Sequence, residues 1–226
     1  PTRRSSDLEL FKEILTHWCS IQLRSVDLKG KLVDAGCPEV SAKKIIEQVQ
    51  VMVEDPEWFL AQDRSLEELG GTRYGMAEYG EKYLSVQNLC RKLEMYNVPL
   101  ALVHGDLHTV NVAKPSGGGY RYLDFSATCI SFPFIDAITL GFIHDEVGAK
   151  FDKLDSSLEM WTKYEPLPRL REFLSLNKEF KRLIGRLYGY QLFLNAEECR
   201  REQEREEMVI LSVGFWTKFL ELWGKN

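Results

Sequence analysis

Three short apolar runs, separated by polar loops and glycines, stand in the middle of this 226-residue sequence. The first run spans residues 100–103, the second spans 110–113, and the third, 120–125, alternates apolar and polar residues. The triplet Gly117–Gly119 separates the second run from the third, and glycine allows the positive φ angles of a tight turn. Short runs on both sides of such a turn predict a small β-hairpin.

The remaining sequence has the three-to-four spacing of apolar side chains that is typical of amphipathic helices. This spacing predicts helices over about 7–25, 41–55, 76–96, 134–144, 156–164, 167–196 with a break near Ser175, and 201–223. The predicted fold class is therefore mainly α with a small β-hairpin region.

Composition excludes several classes of function. The net charge is −5, from 29 basic and 34 acidic residues, whereas nucleic-acid-binding domains usually carry a basic surplus. Nucleic acid is therefore not an expected partner. A membrane is not expected either, because no apolar run approaches the ~20 residues that a membrane helix needs. The five cysteines are widely spaced and form no C-x-x-C pair, which indicates free thiols in a reducing compartment. A cytoplasmic location is expected.

Three polar residues lie around the predicted hairpin. Asp106 and Asn111 are on the loop that follows the first apolar run, and Asp124 is near the end of the third. A hairpin can bring that loop and that strand end together, although 12 residues separate Asn111 from Asp124. Phosphoryl transfer needs a carboxylate that accepts the proton of an acceptor hydroxyl, and oxygen ligands that hold Mg²⁺ against nucleotide phosphates. The spacing therefore favours a phosphotransfer site.

The same arrangement occurs in the protein-kinase signature, where H-R-D is followed by an Asn five residues after the Asp and then by D-F-G. In this sequence Gly105 takes the place of the Arg, and Ser126 takes the place of the last Gly. These two differences separate the chain from the protein kinases themselves.

The runs His104–Val112, Tyr122–Phe125 and Pro133–Asp136 resemble motifs of the aminoglycoside phosphotransferase and choline kinase superfamily, with a clear match over about 104–140. The resemblance implies a protein-kinase-like C-terminal lobe. It also implies a phosphotransferase that uses Mg²⁺ and takes ATP as co-substrate. The acceptor would be a hydroxyl of a small molecule, such as an alcohol or amino alcohol, which the sequence does not identify.

The resemblance also assigns roles to residues. It implies that Asp106 is the catalytic base and that Asn111 and Asp124 are magnesium ligands. His104 would be a structural member of the loop, and Asp136 would be a buried support for the loop backbone.

Two further side chains have open roles. His108 either borders the substrate or caps the loop, and the hydroxyl of Ser126 either contacts phosphate or is an ordinary loop hydroxyl. The alternative enzyme class is a metal-dependent hydrolase, which the pattern His104-x-Asp106-x-His108 would allow. On an extended strand these three side chains would share one face and could bind zinc or another transition metal. No further His or Cys pair supports that metal site.

A complete kinase also has a glycine-rich strand-turn-strand and a lysine that contacts the nucleotide phosphates. The segment Gly70–Gly75 contains glycines, but no strand is predicted before it, and residues 1–99 are predicted to be helical. We therefore expect a single kinase-like C-lobe, made of segments 1–99, 100–126 and 127–226, without an N-terminal β-lobe. The missing lobe is expected in the same full-length chain, and the piece alone is expected to be inactive. A kinase-like binding module without catalysis is the alternative.

Overall fold

The structure is a computed structural model and describes residues 3–58, 60, 76–142 and 155–197. Its α-helices are α1 (Arg3–Ser25), α2 (Lys29–Asp34), α3 (Ala42–Glu54), α4 (Met76–Glu94), α5 (Ile135–Phe142), α6 (Asp155–Glu159) and α7 (Leu167–Glu197). Its strands are β1 (Ala101–Val103), β2 (Val112–Ala113), β3 (Arg121–Tyr122) and β4 (Cys129–Ser131). The described part is mostly helical with small antiparallel strands, which confirms that part of the predicted fold class.

The predicted hairpin is formed by β2 and β3. These strands pair antiparallel, with Val112 opposite Tyr122. In the turn, Gly118 and Gly119 adopt φ angles of 84° and 76°, which explains the glycine triplet. The strand part of the third apolar run is shorter than predicted, because Asp124 adopts a φ of 58° and ends the extended conformation.

A second two-stranded sheet was not predicted. β1 pairs antiparallel with β4, and Val103 lies opposite Cys129. Strand β4 has no recognisable pattern in the sequence, because all three of its residues are buried and apolar and polar positions therefore do not alternate. The consequence for the site is direct: one small sheet fixes the start of the loop 104–111, and the other fixes its end.

The described residues fall into two compact units, one within residues 1–41 and 92–178 and the other within 42–91 and 179–226. All the predicted site residues belong to the first unit. There, one core cluster joins helix α1, the loop after β1 and helix α5; its buried members are Ile14, Leu15, Trp18, Leu107, Ala137 and Leu140. A neighbouring aromatic group places the ring of Phe134 edge-on to those of Trp161 and Phe173.

The second unit contains helices α3 and most of α4. Helix α3 buries Ala42, Ile45, Val49 and Met52, which recur every three or four residues along one face. On α4, the hydroxyl of Tyr83 donates a hydrogen bond of 3.3 Å to the Oε1 atom of Gln50 on α3.

Some predicted helix bounds need correction. The predicted break near Ser175 is wrong, since α7 runs without interruption over 31 residues. Ser175 faces solvent, and the nearby polar Asn177 donates to the carbonyl oxygen of Phe173 one turn back, so neither residue interrupts the helix. Helix α2 was not predicted, and the helix predicted over 201–223 lies outside the described residues. Among the described helices, none combines the length and apolar character needed to cross a membrane.

Candidate functional site

Gly105 determines how the chain leaves β1. Its φ angle is 84°, a conformation that L side chains rarely adopt. A Cβ atom at this position would also overlap the carbonyl oxygen of Ala127. With this backbone the position accepts only glycine, which is a physical reason for the absence of the arginine that protein kinases carry there.

Asp136, in the first turn of α5, binds the backbone of the loop. Its Oδ2 atom accepts a hydrogen bond of 2.8 Å from the backbone N–H of His104, and its Oδ1 atom accepts one of 2.9 Å from that of Gly105. The carboxyl group is fully buried, and this burial raises the pKa of Asp136, while the two backbone N–H groups oppose the rise. The start of the loop is therefore attached to α5.

His104 points into the protein. Its ring is fully buried, lies 5.6 Å from that of Trp18 and 5.0 Å from that of Phe125, and places Nε2 3.0 Å from the carbonyl oxygen of Leu123. A carbonyl oxygen can only accept, so Nε2 carries the proton and donates. The Nδ1 atom is buried and has no hydrogen-bond partner among the described residues. The ring of His104 is thus enclosed by its neighbours and does not face solvent.

Asp106, His108 and Asn111 form a cluster on the loop. The Oδ2 atom of Asp106 lies 3.1 Å from Nε2 of His108 and 3.2 Å from Nδ2 of Asn111. Nδ2 of Asn111 also donates to the backbone oxygen of Asp106, at 3.0 Å. The side chain of Asp106 is 49% exposed, whereas Asn111 is buried. The carboxylate is thus held on one side and open to solvent.

Asp124 lies just after β3 in a left-handed backbone conformation, with a φ of 58°. Its Oδ1 atom accepts hydrogen bonds from the hydroxyl of Ser126, at 2.6 Å, and from the backbone N–H of Ser126, at 3.3 Å. These bonds, the hydroxyl first, lower the pKa of Asp124. The hydroxyl of Ser126, which was a predicted candidate for phosphate contact, thus donates a hydrogen bond to Asp124.

The hairpin joins Asn111 to the segment that carries Asp124. The backbone N–H of Leu123 donates to the carbonyl oxygen of Asn111, at 2.9 Å, so the pairing of β2 with β3 continues one residue pair further. Since Asp124 follows Leu123 directly, Asn111 and Asp124 lie at the same end of the hairpin. The hairpin therefore pairs the backbones of Asn111 and Leu123, while the roles of Asn111 and Asp124 as metal ligands stay a prediction.

The geometry does not support the hydrolase pattern His104-x-Asp106-x-His108. These residues form a loop rather than an extended strand, and the φ of 84° at Gly105 breaks the alternation that would place them on one face. Nε2 of His104 is occupied by a carbonyl oxygen inside the protein. In the described part of the chain, no three His, Cys, Asp or Glu side chains are grouped so that they could hold a metal ion.

Two residues near the site were missed by the sequence analysis. Trp18 and Gln22 on α1 both donate to the Oδ2 atom of Asp136, at 2.6 and 3.4 Å. Trp18 lies in the helix predicted over about 7–25, and nothing in the sequence indicates that its indole N–H faces a carboxylate 118 residues away. Gln22 recurs one turn after Trp18, and its amide on that face is the signal that the sequence offers, because an amide that becomes buried needs hydrogen-bond partners.

No protein-family model and no curated protein matches the sequence. Among solved structures, the fold is similar to that of small-molecule kinases. An ethanolamine kinase from Plasmodium vivax superposes with a TM-score of 0.56 and 13% identity, over 94% of this chain and 59% of that one. A choline/ethanolamine kinase family protein from Mesorhizobium loti gives a TM-score of 0.43 and 16% identity, over 85% of this chain and 67% of that one.

At 13% identity, the similarity to the Plasmodium vivax ethanolamine kinase concerns the fold alone, and it supports the predicted protein-kinase-like fold. The chain spans 59% of the length of the ethanolamine kinase.

Proposed function

We propose that this chain carries the catalytic loop and metal-binding residues of a small-molecule kinase. The reaction would transfer the γ-phosphate of ATP, with Mg²⁺, to a hydroxyl of a small alcohol or amino alcohol. The main support is one observation: Asp106 and Asn111 touch on the loop after β1, and the hairpin joins Asn111 to the residue before Asp124. The protein-kinase-like fold agrees with this proposal.

Asp106 is the proposed base. Its carboxylate is half exposed, so an acceptor hydroxyl can reach it, and His108 and Asn111 fix the orientation of Oδ2. A fixed carboxylate can hold the hydroxyl oxygen in line with a phosphorus atom and take up its proton. In phosphoryl transfer such placement, together with charge stabilisation, provides most of the catalysis.

Asn111 and Asp124 are the proposed metal ligands. Nδ2 of Asn111 faces Asp106, which leaves Oδ1 as the amide atom for a cation. The hydrogen bonds from Ser126 lower the pKa of Asp124, so this carboxyl is ionised at neutral pH. An amide oxygen and a carboxylate suit Mg²⁺, which prefers oxygen ligands and usually takes only one or two carboxylates from the protein. Bound Mg²⁺ would neutralise charge on the nucleotide phosphates.

The nucleotide phosphates need further contacts. Over residues 3–58, 60, 76–142 and 155–197, the strands are β1 to β4, each of two or three residues. The glycine-rich hairpin among them, β2–β3, follows the loop that carries Asp106, and its Lys114 is bonded to Glu13. We therefore expect the chain by itself to bind Mg·ATP weakly and to turn over little.

The acceptor class follows from the fold likeness and from charge. One similar structure is that of an ethanolamine kinase, and the net charge of −5 attracts cationic molecules such as amines. An amino alcohol is accordingly the first acceptor to test.

Phosphate transfer from radiolabelled ATP to a panel of amino alcohols and sugars tests the proposal in the full-length protein. We expect transfer to at least one acceptor and a loss of about 100-fold or more in Asp106→Ala. Asp34→Ala, which changes an exposed aspartate on α2, is the matched control and should retain activity. Full activity of Asp106→Ala would contradict the assigned base. Nucleotide binding without transfer to any acceptor would instead favour a non-catalytic binding module.

A further inference from the structure

Helix α1 contacts the hairpin through two successive turns. Glu13 accepts hydrogen bonds from Lys114, at 3.0 Å, and from the hydroxyl of Tyr120, at 2.6 Å, and these two residues lie on either side of the hairpin turn. One turn further along, Nδ1 of His17 lies 2.9 Å from the hydroxyl of Tyr122 on β3. The part of α1 up to His17 is therefore bonded to the hairpin that leads to Asp124.

The C-terminal half of α1 contacts the strand that leads into the loop. The amide of Gln22 donates to the backbone oxygen of Leu102 on β1, at 3.1 Å, and to that of Pro133 just before α5, at 2.7 Å. The hydroxyl of Ser25 accepts a hydrogen bond of 2.8 Å from the N–H of Leu102. This half of the helix thus connects β1, which leads into the loop, to the segment just before Asp136.

Between these two groups of contacts, the indole N–H of Trp18 donates to Oδ2 of Asp136 at 2.6 Å. Both groups are buried, with Trp18 1% and Asp136 0% exposed. The same Oδ2 atom accepts from the N–H of His104, while Oδ1 accepts from Gly105. A hydrogen bond between buried groups is stronger than one in water because the local dielectric is low, and this one restrains rotation of the carboxyl plane.

We propose that Trp18 and Gln22 are positioning residues for the reaction, acting through Asp136 on the backbone of the catalytic loop. The inference rests on the proposed function, because Asp106 follows Gly105 directly in the chain. Asp136 can hold the two loop N–H groups only while its oxygens keep their orientation. Trp18 holds that orientation from outside the loop with a short hydrogen bond of 2.6 Å, and Gln22 adds a longer contact of 3.4 Å.

Trp18→Phe provides a selective test, since it keeps a buried aromatic ring and removes the N–H donor. Trp161→Phe is the matched control, because Trp161 is equally buried and its indole N–H faces the thiol of Cys19 rather than a carboxylate. Amide hydrogen exchange of His104 and Gly105, followed by NMR in the 226-residue chain, measures the loop directly. Steady-state kinetics of the full-length protein measures the effect on catalysis.

In Trp18→Phe we expect exchange at the two loop amides to accelerate about tenfold. In Trp161→Phe it should change less than about threefold. We also expect kcat to fall about tenfold with an acceptor KM within about twofold of the wild type, because a misplaced base affects the transition state more than substrate binding. Gln22→Met, which keeps the length of the side chain and removes its amide, provides the second variant and should shift both readouts in the same direction.

Unchanged exchange at both amides in Trp18→Phe and Gln22→Met would overturn the proposal, whatever the activity. Faster exchange with an unchanged kcat would also overturn it, because the hydrogen bond would then be structural only. If the wild-type protein transfers phosphate to no acceptor, the proposed function fails. The exchange data then still decide whether α1 positions the loop.

Discussion

Gly105 lies so close to the carbonyl oxygen of Ala127 that no Cβ atom fits between them. Two separate effects therefore act against any other residue at this position, the positive φ angle and the overlap. A comparison with another glycine can separate them, since Gly118 has the same φ of 84° but no atom within 4 Å of its Cβ position.

Gly118→Ala should cost about 1 kcal/mol in the free energy of unfolding, from backbone strain alone. Gly105→Ala should cost about 3 kcal/mol or more, since the loop or the segment at Ala127 must also move. Urea denaturation followed by circular dichroism measures both values. Equal costs in the two variants would show that the overlap is relieved without strain.

Asp136→Asn should destabilise the protein by about 1–3 kcal/mol at neutral pH. N–H groups approach both oxygens of Asp136, Gly105 on one and His104 on the other, while asparagine offers only one oxygen. At least one buried donor must then lose its acceptor. Chemical denaturation checks this, with the exposed Asp34→Asn as a control that should change stability by less than about 0.5 kcal/mol. An Asp136→Asn variant with the same free energy of unfolding as the wild type would contradict the hydrogen bonds assigned to Asp136.

The pH dependence of stability provides an independent check on Asp136. Burial raises the pKa of this carboxyl in the folded protein, so the folded state binds the proton more tightly than the unfolded chain. The contribution of Asp136 to the free energy of unfolding is complete below the pKa of about 4 that an aspartate has in the unfolded chain. It declines as the pH rises through the pKa of Asp136 in the folded protein. Subtracting the Asp136→Asn profile from the wild-type profile should isolate this decline. A difference that grows with pH would mean that the carboxyl prefers its charged form.

Asp124→Asn should weaken the binding of Mn²⁺, used as a paramagnetic substitute for Mg²⁺, by about tenfold. The change keeps an oxygen ligand and removes the negative charge. Water proton relaxation during a Mn²⁺ titration measures the affinity, and Asp34→Asn serves as a control for the loss of one charge elsewhere. Equal Mn²⁺ affinity in wild type and Asp124→Asn would contradict the proposed metal site.

The buried thiols of the first unit should resist alkylation. Desolvation raises the pKa of Cys19 and of Cys129 to about 12, so at pH 8 only about one thiol in 10⁴ is ionised. Iodoacetamide labelling with peptide mass spectrometry should find these two residues unmodified in the folded protein and modified in urea. Rapid labelling of Cys19 under native conditions would show that α1 separates from its neighbours.

The hairpin and its polar residues could be predicted from sequence because their signals are local. A glycine triplet marks the turn, and Asn111 and Asp124 lie within a few residues of it. The contacts that hold the loop are different, since Trp18 and Asp136 are 118 positions apart. In the sequence, each of these residues is explained without the other, Trp18 as part of an apolar helix face and Asp136 as an acidic residue in the first turn of a helix. Strand β4 escaped prediction for a related reason: its partner β1 is distant in sequence, and burial on both faces removes the alternating pattern.

Leu123 is held on both sides: its N–H donates to the carbonyl oxygen of Asn111, and its carbonyl oxygen accepts from the ring of His104. These two groups belong to successive peptide planes, and both of their partners lie on the loop 104–111, which also carries Asp106. A movement at Leu123 that separates Asp124 from Asp106 must therefore break these two hydrogen bonds. The proposed metal ligand is thus tied to the loop of the proposed base by hydrogen bonds within the protein, which need no cation.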